Sequence, residues 1–532
     1  MHERAIALFG NSDSTSYRGH TEPFPFPQDG HIITRVNGRE LCRQPDCKKC
    51  ATSPEFTLVH HECFEVFRQQ CSVSASVALD RLWILATWGS PWDRAQPLSL
   101  NPNELLEMIR QQSRHSLVWR CIPALKLADC ISTLRPDPLF TVLLRDVLSW
   151  ERGGKLERVQ ESQSPPPPIL RLTVDSLGIR KVERVPDLPV YTGEYTSHLA
   201  FIVEHETFIP DAYGRLRLGL PAWLRTLPIW NTPAPPSLAL CKAHPNDLSS
   251  CHIFHTVEMN KIQGITFFFF SRQLIGIHIH RSENSCAMDT FQTLPDRLRR
   301  IVVWIYLPIS RLDPVLVLGI RQTLRSQAVL VRTALIGDVI IASRPASRTD
   351  VEDRCLVVSA PVTMIYSEPQ EGRPISFFGS RQGPLLSQPL PAPFRLEDPG
   401  SWQVNADGYF SWAPLSDVSS TLAFYDANTG FCRGILFHYQ NGGCRAVGQC
   451  RLGVDLAETV VRPVQFCFWH DPSPKVALVR VKFTQHEKEE HAEGWKAWPM
   501  KGLVKFWFST EFSALVVEDY DIEAHPTEDV TL

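Results

Sequence analysis

The amino-acid sequence predicts an α+β chain. A small, zinc-stapled α-helical N-terminal region rich in Cys and His precedes a large antiparallel, sandwich-like β-region with a duplicated hairpin unit. Two observations set the class. Apolar residues recur at helical spacing up to about residue 150, and at strand spacing beyond the proline run Pro165–Pro168. A third observation gives the duplication. Gly276-Ile277-His278-Ile279-His280 followed by Cys286 returns as Gly434-Ile435-Leu436-Phe437-His438 followed by Cys444, so both copies read Gly-Ile-x-x-His-x5-Cys. Each copy follows an aromatic strand, Phe267–Phe270 or Phe424-Tyr425, and a polar turn.

At 532 residues the chain exceeds one hydrophobic core and implies several domains. Four segments are expected: a loosely ordered lead-in over 1–35, a Cys/His module with helices over 36–160, a β-region with the first hairpin copy over 161–387, and the second copy over 388–532. The proline-rich stretches Ser162–Pro168 and Gln388–Pro393 supply the last two boundaries.

In the N-terminal module Cys47-x2-Cys50 has the spacing of a zinc knuckle, and Cys63 with His60 or His61 would complete a tetrahedron. Cys42 is a spare ligand. Four protein ligands leave no open position, so the expected zinc is structural. A helix beginning near residue 60 with Phe64 and Phe67 on one face favours His60 beside Cys63. His61 serves equally well if it is the last extended residue.

Val77, Leu79, Leu82, Trp83 and Leu85 form one apolar stripe of a further helix. Asn101 with Pro102 and Glu104 caps another, and Asp137-Pro138 opens a third that runs through Leu148 to Trp150. Beyond the proline run, short apolar segments such as Ile265–Phe270, Ile301–Leu307, Val315–Ile320, Gly434–Tyr439 and Leu503–Phe508 alternate with turn residues. That is the pattern of antiparallel strands in stacked sheets.

The chemistry-bearing motifs are few. A net charge of -3 gives no cationic excess for general nucleic-acid or anionic-membrane binding, and no apolar run is long enough to span a bilayer. Fifteen cysteines without a secretory leader fit reduced thiols, so a cytoplasmic or nuclear setting is expected. His278 and His280 share one strand face, and only His280 has a counterpart, His438; this suits a polar plug in a hairpin. His486 and His491 are five apart, against the four that a zinc-protease helix requires. No nucleophile elbow or phosphate loop is found. The expected function is a non-enzymatic binding protein with the β-region as platform and a protein partner. The alternatives are a carbohydrate-binding protein and an enzyme with an unfamiliar site. For the carbohydrate reading, the Tyr439-Gln440-Asn441-Gly442-Gly443 turn is similar to a jacalin-like β-prism blade, whose glycine loops show amides to a glycan.

Phe424-Tyr425-Asp426, Thr429–Phe437 and Arg445–Arg451, with the Cys47-to-Cys63 start and Asp80-Arg81-Leu82-Trp83, resemble a block in large uncharacterised filamentous-fungal proteins. The resemblance covers most of the chain in outline. It implies a fungal intracellular protein and carries no activity with it. The N-terminal part of that family is likened to an F-box region, whose Leu-Pro opening this chain lacks.

Overall fold

The computed structural model describes residues 4–10, 17–25, 33–36, 39–42, 56–71, 77–80, 82, 124–125, 128–129, 132, 142–143, 146–159, 165–175, 178–196, 198–205, 213–214, 228–238, 241–245, 253–282, 285–322, 327–342, 352–358, 360–369, 374–381, 392–395, 408–471, 477–486 and 494–519. These residues are mostly β-strand in several antiparallel sheets. The chain divides into two units, Met1–Leu188 with Thr196–Arg225, and Pro189–Tyr195 with Thr226–Leu532. The division falls at neither proline-rich stretch.

The first unit begins with a strand. β1 (Arg4–Gly10) pairs antiparallel with β2 (Tyr17–His20) and β3 (Phe24–Pro25). After a small hairpin of β4 (Ile33–Val36) and β5 (Arg39–Cys42), β6 (Phe56–His60) takes its place against β1 as well. A loose lead-in was expected here. Instead Ala5, Ile6, Ala7 and Leu8 are all buried. Alternation explains it: Ile6 and Leu8 point to Phe64 and Phe67, while Ala5 and Ala7 point to Phe24. Phe64 and Phe67 lie on α1 (His61–Gln70), which places both on one face and carries Glu62 in its first turn.

Helical residues at 77–80 and 82 bring Leu82 into the same cluster with Leu79 packed beside it, as the stripe predicts, whereas Val77 of the stripe is exposed and Ala78, outside it, is buried. The helix expected from Asn101 lies outside the described residues. The one expected to reach Trp150 is not a helix there. β7 (Val142–Leu143) is followed by β8 (Val147–Glu151), and Trp150 of β8 stands opposite Val182. The segment's local helical spacing yields to strand pairing, which satisfies its backbone from a neighbour. β8, β9 (Glu157–Arg158), β10 (Ile169–Asp175), β11 (Gly178–Val185) and β12 (Ala200–His205) lie in the order β12-β10-β11-β8-β9, and β13 (Tyr213–Gly214) pairs with β7.

The second unit holds most of the β-structure. β14 (Ile229–Trp230), β15 (Cys241–Pro245) and β16 (Ile253–Glu258) precede a hairpin of β17 (Gly264–Phe270) and β18 (Gln273–His280). Two short helices, α2 (Met288–Thr293) and α3 (Asp296–Arg299), lead to β19 (Val303–Pro308), which pairs with the other edge of β17. β20 (Val315–Gln322), β21 (Gln327–Thr333), β22 (Gly337–Ile341) and β23 (Glu352–Val357) make a sheet in the order β22-β21-β20-β23. β24 (Thr363–Ser367) and β25 (Phe377–Arg381) join the earlier strands in the order β15-β25-β24-β16-β14.

Three more sheets complete the unit. β26 (Tyr409–Pro414) will later meet the last two strands. β27 (Val418–Tyr425), β28 (Cys432–Tyr439), β29 (Cys444–Gly448) and β30 (Leu456–Val461) form one sheet in the order β29-β28-β27-β30. β31 (Gln465–His470), β32 (Val479–Thr484) and β33 (Lys496–Pro499) form a second, β32-β31-β33. β34 (Leu503–Phe508) and β35 (Ser513–Glu518) close a third with β26, in the order β26-β34-β35.

One large core serves these sheets. Phe267, Phe269, Ile277, Val329, Ile435, Phe437, Phe466, Phe506 and Leu515 all belong to it. β17 is buried on both faces, which is why it reads as four consecutive Phe and not as an alternation. Phe267 and Phe269 enter the main core, while Phe268 meets Trp304 edge-on at 4.8 Å in a second cluster. Each such side chain contributes about 1.5–3 kcal/mol by leaving water.

Candidate functional site

The two hairpins have the same register. In β17–β18, Phe268 stands opposite Gly276, and a bulge follows at once, before Phe269 meets Leu274. In β27–β28, Phe424 stands opposite Gly434, with a bulge before Tyr425 meets Cys432. Counting back from the bulge, His280 faces Gly264 and His438 faces Ser420, so the two histidines occupy equivalent rungs. The faces agree too, since Ile277 and Ile435 both enter the main core.

The equivalence ends at the cysteines. Cys444 opens β29 directly opposite His438, whereas Cys286 lies beyond β18, near Gly453. Equivalent cysteine positions were expected, and the structure corrects this. The chain after the first hairpin enters α2 and α3, while the chain after the second returns as β29. The glycines also answer different needs. A Cβ on Gly276 would meet the Phe268 ring at 3.1 Å, and one on Gly434 would meet the Val447 carbonyl of β29 at 2.7 Å.

Both histidines of the first hairpin have their ring nitrogens occupied. The Ser285 carbonyl can only accept, so His280 Nδ1 donates to it at 2.9 Å, and His280 Nε2 takes the Thr266 hydroxyl at 2.7 Å. His278 contacts the Thr290 hydroxyl at 2.8 Å and the Ser285 hydroxyl at 3.1 Å, and its ring stands edge-on to His280 at 4.7 Å. Burial, with help from His280 and Arg281, draws His278 down to about 4, and burial lowers His280 as well. Both are neutral hydrogen-bonding groups at ordinary pH, as a polar plug requires.

His438 Nδ1 lies 3.1 Å from Cys444 Sγ, the spacing of a nucleophile and its base. The electrostatics oppose that chemistry. Burial pushes the Cys444 thiol up to about 11 and lowers His438, so the pair is a neutral thiol on a neutral imidazole.

In the turn named for the carbohydrate alternative, both glycine N–H groups are bonded within the turn. Gly442 N–H donates to the Tyr439 carbonyl at 3.0 Å, and Gly443 N–H to Asn441 Oδ1 at 2.9 Å. A Cβ on Gly442 would stand 2.6 Å from Leu312, and one on Gly443 2.5 Å from Ile336. These glycines permit a close approach of loops.

The expected zinc ligands are only partly in view. Cys47 and Cys50 lie outside the described residues, and Cys42 is described in its backbone alone. His60, not His61, is the last extended residue, and His61 and Cys63 lie in the first turn of α1. His61 Nδ1 is buried without a hydrogen-bond partner. Among the described residues no three His, Cys, Asp or Glu side chains gather as a metal site. The region from His486 to His491 is described only at His486.

Two features were not legible in the sequence. Residues 189–195 lie on the second unit, with the Tyr191 hydroxyl donating to Glu258 at 2.8 Å and Arg281 over the Tyr195 ring at 3.5 Å. The second is β30. Its residues are exposed apart from half-buried Val460, and among the described residues only β27 pairs with it. Leu456 is 66% exposed and Val461 54%, with Val464 exposed just beyond. Arg462 N–H donates to the Ser419 carbonyl at 2.8 Å, and antiparallel pairing alternates. Ala457, Thr459 and Val461 therefore direct their N–H and C=O groups away from β27. Gln485 Nε2 takes the Val461 carbonyl at 2.7 Å, in agreement.

Among the described residues no helix is long and apolar enough to cross a membrane. No protein-family model matches the chain, and no curated protein matches it either.

Proposed function

We propose that the chain is a non-enzymatic binding protein whose β-region is the platform and whose protein partner adds an extended segment to the outer edge of β30. The observation that carries this reading is the edge itself. It presents outward backbone donors and acceptors beside exposed Leu456 and Val461, and within Leu456–Val461 there is no lysine, proline or bulge to blunt the edge. The histidine and cysteine pairs of the two hairpins, by contrast, are neutral and internally bonded, which supports a packing role for them. The hairpins themselves are best read as two copies of one unit, given their common bulge and register. Affinity capture from native extract with the full chain and with Thr459→Lys tests the platform: a partner held by the first and lost by the second supports it. Equal capture by both would refute it.

A structural zinc on Cys47, Cys50, Cys63 and His61 or His60 is proposed alongside, supported by the buried unpartnered His61 Nδ1. Metal analysis of the full chain should find one zinc that is lost on Cys47→Ser with Cys50→Ser. A metal-free, folded chain would exclude it.

A further inference from the structure

Resting on that reading of the edge, we infer that the segment β30 receives is β30 of a second copy of this chain, in a two-fold antiparallel pair centred on Thr459. Only Ala457, Thr459 and Val461 offer outward backbone groups, so only registers that set these residues against one another can form a ladder. Centring the pair on Glu458 would oppose two carboxylates directly, which is unfavourable. Moving the centre to Val460 would set Ala457 against Pro463, which has no N–H to give.

The Thr459-centred register engages the whole strand. Each Thr459 faces the second copy's Thr459, a pair that stabilises antiparallel sheets, and each Ala457 faces the second copy's Val461. Glu458 then faces Val460 and lies diagonally between the other copy's Glu458 and its exposed Arg462, so a cation stands beside each carboxylate and no two carboxylates are directly opposed. The contact is isologous, as a two-fold axis requires. Val461 must release Gln485 or share its carbonyl, which has a second lone pair. A six-residue edge falls short of the roughly 1,000 Å² of a tight interface, so the pair should be reversible and concentration-dependent.

Sedimentation velocity of the full chain over a concentration series tests the inference. The weight-average mass should rise towards that of a dimer. Thr459→Lys, at an exposed position whose side chain has no hydrogen-bond partner among the described residues, should keep the chain monomeric by placing two cations on the axis. Thr459→Cys should give a covalent dimer on mild oxidation well above the wild-type background, because directly opposed residues approach within disulfide range. A chain that stays monomeric throughout overturns the inference, and so does dimerisation that Thr459→Lys leaves intact. If the chain is monomeric while Thr459→Lys still loses a captured partner, the second copy is excluded and the platform stands. If the chain dimerises through Thr459 and no partner is captured, the second copy is the partner.

Discussion

The Gln449 side chain accepts the Trp304 backbone N–H at 3.1 Å across 145 positions of sequence. Its other end donates to the Ser509 carbonyl at 2.7 Å, and its own N–H donates to Arg433 at 2.7 Å. One buried amide thereby joins β19, the end of β29 and the chain after β34. Replacing it by Met keeps the volume and removes both side-chain bonds. Each orphaned group then costs about 1–3 kcal/mol. The urea midpoint of Gln449→Met should fall accordingly, with the m-value unchanged. An unchanged midpoint would mean that the bridge carries no weight.

The equivalent glycines should not be equally replaceable. A methyl on Gly434 meets fixed backbone, the Val447 carbonyl at 2.7 Å and Gln449 N at 2.8 Å, while one on Gly276 meets a ring that can shift. Gly434→Ala should cost about 1–3 kcal/mol through strain, and Gly276→Ala clearly less. Thermal melts of the two variants side by side give the comparison, and the reverse order would contradict the packing described.

Acid should destabilise the second unit through its histidines. His278 ordinarily titrates at 6.5 and is held at about 4 when folded, so the unfolded chain binds the extra proton between those values. The stabilisation is complete above pH 6.5 and is lost as pH falls towards 4, on the order of 3 kcal/mol for this residue. His280, His438 and His470 are lowered in the same sense. His278→Gln should flatten this part of the pH–stability curve. Parallel curves for the two proteins would show that His278 is not held neutral.

Cys444 should be a slow thiol despite its histidine. With its pKa pushed from 9.0 to about 11, its thiolate fraction at neutral pH is roughly a hundredfold lower than for an ordinary thiol. Iodoacetamide labelling, read by mass spectrometry, should leave Cys444 unmodified in the native chain and modify it in the urea-unfolded chain. Fast labelling would reveal an activated Cys444–His438 pair and return an enzymatic reading to consideration.

The strands of the β-region were legible because each carries its own period and its own stop signals. Ile265–Phe270 and Gly434–Tyr439 were visible as apolar runs ended by turn residues, and they form β17 and β28 within two residues of those limits. The common spacing of Gly276 to His280 and Gly434 to His438 was enough to foresee a common register, because a strand's side chains alternate whatever surrounds them. What local sequence could not decide was pairing. Val147–Glu151 has helical spacing and became a strand because β11 offered it a partner, and Arg4–Gly10 became a buried strand because β6 and α1 covered it. Cys286 and Cys444 share a motif and still part company, since the chain beyond each histidine goes to different neighbours. The edge of β30 is likewise a tertiary fact: Leu456–Val461 carries no clear apolar run of its own, and only the sheet order leaves one side of it unpaired among the described residues. Backbone period belongs to a few consecutive residues, whereas an edge, a face or an occupied nitrogen depends on residues a hundred positions away.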